Sequence, residues 1–78
     1  MSEASRGGDP AYVRIAKSLG DRIASGVYPE GSRLPSGPQL CADFGVSPMT
    51  ARRALALLES QGMVSAIQGR GTFVRSMD

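Results

Sequence analysis

Arg52 and Arg53, preceded by Met49 and Thr50, and Arg70, set between Gly69 and Gly71, are the residues best suited to a chemical task. A guanidinium is a rigid fork of five donors that fits phosphate oxygens or a guanine edge, and it stays charged at physiological pH. Its chemistry is recognition of a polyanion. Catalysis has little to draw on. The sequence has no His and one Cys, Cys41, which excludes a His-based triad, a His acid or base and a structural zinc site. The Asp and Glu residues offer no pair at a suggestive spacing, so the chain reads as non-enzymatic, without cofactor or metal.

The net charge of +2 understates the basic character because the excess is local. Between residues 9 and 43, Arg14, Lys17, Arg22 and Arg33 are balanced by Asp9, Asp21, Glu30 and Asp43. Between residues 44 and 75, Arg52, Arg53, Arg70 and Arg75 face Glu59 alone. A basic half beside a neutral half is the distribution of a surface that meets a polyanion; a merely solvated charged face gives a similar count.

These side chains need elements to hold them, and 78 residues allow one small domain. A chain of this length buries only about 60% of its unfolded surface, which leaves no room for a large cleft. A single Cys forms no internal disulfide, so packing alone must hold the fold. No apolar run reaches the roughly 18 residues of a membrane span. MSEASRGGDP lacks the apolar stretch of a signal peptide, so the expected location is cytoplasmic, with no membrane partner.

Residues 1–8 mix Ser, Gly and charge without period and are expected to be a disordered tail. A folded domain is expected over 9–75, and 76–78 as a tail or the start of a linker. Asp9 and Pro10 predict a helix start, with Asp9 as cap and Pro10 at the first helical position. Tyr12, Ile15, Leu19 and Ile23 continue it as one apolar stripe towards Gly26. Pro29 and Gly31 mark a turn, with a short extended piece around Arg33 and Leu34. Ser36 and Gln39 have the capping-box spacing and open a second helix that runs to about Phe44 and stops at Gly45.

Ser47-Pro48 then starts a third helix reaching Gln61, with Ala51, Ala54, Leu55 and Leu58 on one face and Met49, Arg52 and Arg53 on the other. Thr50 lies on the flank. MVSAI and TFV around QGRG predict a β-hairpin. The expected fold class is mainly α with a small β-hairpin: a three-helix winged helix-turn-helix. Its core is expected to join Leu19, Ile23, Leu40, Phe44, Leu55 and Leu58, with Phe73 closing the hairpin on them. Cys41 is expected to be a buried structural thiol facing the third helix.

Short helices joined by Phe44-Gly45-Val46-Ser47, with Gly45 free to take positive φ and Ser47 placed to cap, make the helix-turn-helix arrangement. Arg and Thr near the start of its second member suit the major groove of DNA, and Gly69-Arg70-Gly71 at a hairpin tip suits the minor groove. Each signal has a bland counterpart, a solvated helix face or an ordinary turn. Their order along the chain is the more specific feature.

From about Tyr12 to Val74, LPSGPQLCADFGVSPMTARRALALLESQGMVSAIQGRGTFV and the opening before it resemble the winged helix-turn-helix domain of the GntR family of bacterial transcription regulators. QGRGTFV looks most like the HutC-type branch. The resemblance implies a repressor that binds an operator as a dimer and releases it when a metabolite occupies a C-terminal effector domain. It implies DNA contacts from Thr50 and Arg52, from the wing tip Gly69 to Gly71, and a phosphate-side position at Ser36. Where many members carry Glu-Arg after that Ser, this sequence has Gly37-Pro38, and where many carry Arg after the turn's Ser, it has Pro48.

The full set of expected DNA-binding residues is Ser36, Ser47, Met49, Thr50, Arg52, Arg53, Gln68, Gly69, Arg70 and Gly71. The expected partner is a double-stranded, pseudo-palindromic operator. The isolated domain is expected to be a monomer and the intact regulator a homodimer. No effector domain fits after Val74, and an excised DNA-binding domain is the favoured account over a stand-alone regulator. The other reading is a winged helix that binds protein, with Met49 and Ala56 supplying apolar contact.

Overall fold

A computed structural model of the protein describes residues 9–76. The tail expected at 1–8 and the last two residues of the tail expected at 76–78 lie outside the described residues. The elements run α1 (Ala11–Ala24), α2 (Gly37–Phe44), α3 (Pro48–Ser60), β1 (Val64–Ile67) and β2 (Gly71–Val74). This is three helices followed by a two-stranded antiparallel hairpin, as the sequence predicts.

Helix α1 starts one residue later than its signals predict. Pro10 occupies the N-cap with extended φ and ψ, and its carbonyl accepts from the N–H groups of Val13 and Arg14. Asp9 is therefore one position too early to cap. Its carbonyl instead accepts from Arg14 Nη1 at 2.6 Å, and its carboxylate lies 3.6 Å from Lys17 Nζ. Helix α2 starts as expected, because Ser36 Oγ accepts from the Gln39 N–H at 3.3 Å, and Pro38 in the first turn lacks only an amide that the helix does not need.

The core sits where α1 and α2 meet α3. Ile15, Ala16 and Leu19 from α1, Leu40 from α2, and Ala51, Ala54 and Leu58 from α3 are buried, together with Leu34, Val64 and Val74. Alanine at 51 and 54 lets helices approach closely, while Leu40 and Leu58 fill the space between them. Ile23, Phe44, Val46 and Leu55 pack around this centre half-buried, so three of the six expected core positions form its rim. Cys41 is also half-buried, not enclosed, because its side of α2 borders an open groove beside Leu55 and Arg52.

The hairpin corrects one expectation. Val64 pairs with Val74, Ser65 with Phe73, Ala66 with Thr72 and Ile67 with Gly71. Val64 and Val74 are buried, and alternation along a strand sends their neighbours to the opposite face. Phe73 thus lies on the outer face of the hairpin, half-buried, and Val74 closes the hairpin on the core in its place. The extended piece at Arg33 is present as an isolated antiparallel bridge to Phe73, which ties the link between α1 and α2 to the wing.

Candidate nucleic-acid interface

The turn between α2 and α3 sets the angle of the interface. Gly45 adopts φ 66° and ψ 38°, the left-handed region that costs an L side chain about 1–2 kcal/mol, and its N–H donates to Cys41 O at 2.9 Å. Two residues later Ser47 caps α3: its Oγ accepts from the Thr50 N–H at 3.2 Å, and its hydroxyl donates to Thr50 Oγ1 at 3.1 Å. Pro48 stands in the first turn of α3, where its missing N–H is harmless.

Because Ala51, Ala54 and Leu58 turn inward, the helical repeat of about 100° per residue sends Met49, Arg52 and Arg53 outward. All three are exposed, with Met49 at 58%, and Thr50 is half-buried on the flank. Arg52 also borders a groove of about 600 Å³ between the starts of α2 and α3, lined by Gly37, Pro38, Cys41, Pro48 and Leu55. Gly37 and Pro38 present neither charge nor a free amide at position 38, so the α2 side of this groove is apolar.

Gln68, Gly69 and Arg70 form the exposed tip of the hairpin, closed by the Arg70 N–H donating to Ile67 O at 2.9 Å. Gly69 takes φ 80°, a conformation that side chains resist, and the glycine leaves the tip slender. Among the described residues, no carboxylate pairs with Arg52, Arg53 or Arg70. By contrast Arg22, on α1, lies 5.9 Å from the Phe44 ring centroid and donates to the Tyr28 hydroxyl at 3.3 Å. That guanidinium holds the fold together and the other three do not.

The expected site residues thus fall into three groups. Met49, Thr50, Arg52 and Arg53 share α3 with the Ser47 cap, Gln68 to Gly71 form the wing, and Ser36 caps α2. Sequence reasoning passed over one further basic residue at the wing. An ideal Cβ on Gly71, whose φ is 126°, would stand 2.7 Å from Arg33 Nε and 3.3 Å from its Cζ, so the Arg33 guanidinium lies directly against that glycine. The SRLP segment carried the signal: once Leu34 points inward, Arg33 must point outward.

Residues 11–74 match the bacterial regulatory proteins of the gntR family. Among curated proteins, the chain is 42% identical over 65 residues to a histidine utilization repressor of Klebsiella aerogenes, covering 83% of this chain and 27% of that protein. It is 40% identical over 65 residues to the probable fructoselysine utilization operon transcriptional repressor of Escherichia coli K12, with the same coverage. The chain therefore spans about a quarter of the length of these relatives. Among solved structures, the DNA-binding domain of AraR in complex with operator ORR3 superposes with a TM-score of 0.80 at 35% identity, covering 83% of this chain and 78% of that one. A GntR-family transcriptional regulator superposes at 0.82 with 38% identity, covering 90% of this chain and 28% of that one. No helix of the described residues is long and apolar enough to cross a membrane. The three helices, the glycine turn and the hairpin are those of a winged helix-turn-helix DNA-binding domain of a transcription regulator rather than an enzyme, and the chain belongs to the gntR family of bacterial regulatory proteins.

Proposed function

We propose that the domain holds a double-stranded operator with α3 in the major groove and the hairpin over the adjacent minor groove. The observation that carries this reading is the exposure of Arg52, Arg53 and Arg70 on two elements fixed to one core, without carboxylate partners among the described residues. Arg52 and Arg53 supply forks for guanine edges or phosphate, and Met49 an apolar contact for a thymine methyl. Thr50 and the caps Ser36 and Ser47 serve the phosphate side. Gln68, Gly69, Arg70 and Gly71 bring a slender cationic tip to the minor groove, where narrow A·T tracts deepen the negative potential.

The whole regulator is proposed to be a cytoplasmic, metabolite-responsive repressor of the HutC-type branch, an assignment supported by the similarity to histidine utilization repressors and by the QGRGTFV wing. It acts as a homodimer on a pseudo-palindromic operator, while the domain alone is a monomer. Linking two domains makes the second contact intramolecular, which compensates for the weak binding of each. Pro38 and Pro48 stand where many family members carry Arg, which removes two candidate contacts and places more of the affinity on Arg52, Arg53 and the wing.

Titration against random-sequence duplex DNA at low and high salt tests the reading. DNA binding requires affinity that falls steeply as salt rises, because each neutralised phosphate releases counterions. Salt-insensitive or absent binding would favour the protein-interaction reading, in which the exposed Met49 and Ala56 of α3 meet another protein.

A further inference from the structure

Arg33 lies in the link between α1 and α2, outside both elements that carry the proposed interface. Two independent features fix where its charge sits. The Leu34 N–H donates to Thr72 O at 2.8 Å and the Val74 N–H to Ser32 O at 2.9 Å, which frames Arg33 and Phe73 as a non-hydrogen-bonded antiparallel pair, the kind whose side chains approach most closely. Leu34 is buried, so alternation turns Arg33 to the outer face of the wing. Gly71, two residues before Phe73, shares that outer face.

The second feature is the glycine itself. The guanidinium of Arg33 occupies the space that a side chain at Gly71 would need, with Nε 2.7 Å from the ideal Cβ position. It is thereby laid along the shoulder of the wing, one residue from Arg70. Among the described residues it has no carboxylate partner. On its other side an open depression of about 400 Å³, lined by Arg33, Tyr28, Pro35, Ser36 and Gln39, leads to the cap of α2.

We infer that Arg33 is a further DNA-contacting residue, which takes a backbone phosphate between the shoulder of the wing and Ser36, and that Gly71 positions it. The inference rests on the proposed docking to DNA. A phosphate, not a base, is the partner because the guanidinium stays behind the tip, at the level of the strands that wall a groove, while the tip itself carries Arg70 inward. Gly71 then does more than keep the tip slender: its missing side chain is the seat of the Arg33 guanidinium.

The test is a salt series on several duplex DNAs of unrelated defined sequence with the parent chain, Arg33→Ala, Lys17→Ala, Gly71→Ala and the Arg33→Ala/Gly71→Ala double variant, each checked by thermal melting. Arg33→Ala should melt close to the parent and lower the slope of log affinity against log salt by about 0.9, one phosphate's share, with the same loss on every sequence. Lys17→Ala removes an equal charge from an exposed position on α1 and should leave the slope unchanged. Gly71→Ala strains the backbone at φ 126° in either background, so it should lower the melting temperature in both. It should weaken binding more when Arg33 is present than when it is absent. An unchanged slope for Arg33→Ala, a loss confined to one sequence, or an equal binding loss from Gly71→Ala in both backgrounds overturns the inference. If the parent itself shows no salt-dependent binding, the docking reading falls and this one falls with it.

Discussion

Ser47 and Thr50 are joined twice: the Thr50 N–H donates to Ser47 Oγ at 3.2 Å, and the Ser47 hydroxyl donates to Thr50 Oγ1 at 3.1 Å. One side chain therefore caps α3 and holds the Thr50 hydroxyl in place beside Arg52 and Arg53.

Ser47→Ala removes the cap and the orienting bond together. The domain should lose about 0.5–2 kcal/mol, read as a lower melting temperature. Affinity for DNA should fall as well, since the first turn of α3 and Thr50 are both loosened. Melting and affinity unchanged from the parent would show that Ser47 has neither role.

Leu58→Ala should cost about 2–5 kcal/mol, because Leu58 is fully buried against α1 and has no exposed edge to relax into. Leu55→Ala, at the rim, should cost clearly less. Chemical denaturation of both variants checks the order, and equal losses would contradict the placement of Leu55 outside the centre of the core.

The bounds of α2 and α3 and the position of the hairpin were legible because Gly45, Ser47, Pro48 and Gly69 punctuate the chain at their junctions, and each punctuator acts through its own backbone or side chain. Which face of the hairpin is buried was not legible in the same way. Strand side chains alternate, so placing Phe73 inside instead of Val74 is a shift of one residue, and only the pairing with Val64 decides it. Asp9 and Pro10 carry a similar one-residue ambiguity at the start of α1. Arg33 was hidden for a related reason: its neighbour across the wing, Gly71, is distant in sequence, and a missing side chain leaves no pattern to read.

Arg52→Ala and Arg14→Ala remove the same charge from different helices. Arg14 is occupied with the Asp9 carbonyl at the start of α1, whereas Arg52 projects from α3. Arg52→Ala should cost about 1–3 kcal/mol of binding, with preference relaxed at one base pair if it reads a base and a uniform loss if it holds phosphate. Arg14→Ala should change little in a binding titration. Equal losses would mean that charge alone, and not docking of α3, governs binding.

Arg70→Ala should weaken duplexes whose flanks are A·T-rich more than those with G·C flanks, because the narrow minor groove of A·T tracts concentrates negative potential. Gly69→Val should weaken both, since φ 80° resists a β-branched side chain and the bulk keeps the backbone from the groove. Affinities measured on paired duplexes differing only in the flanks check both outcomes. The same loss on both flanks for Arg70→Ala would remove the minor-groove assignment.

The docking geometry is tested most directly by the amide spectrum of the isotope-labelled domain during addition of duplex DNA. The account predicts that shifts concentrate at residues 47–53 and 68–71, with further shifts near Arg33 and Ser36. Lys17, Gly20, Leu57 and Gln61, around the separate groove between α1 and α3, should stay in place. Shifts centred on that groove, or on α3 without the wing, would contradict it.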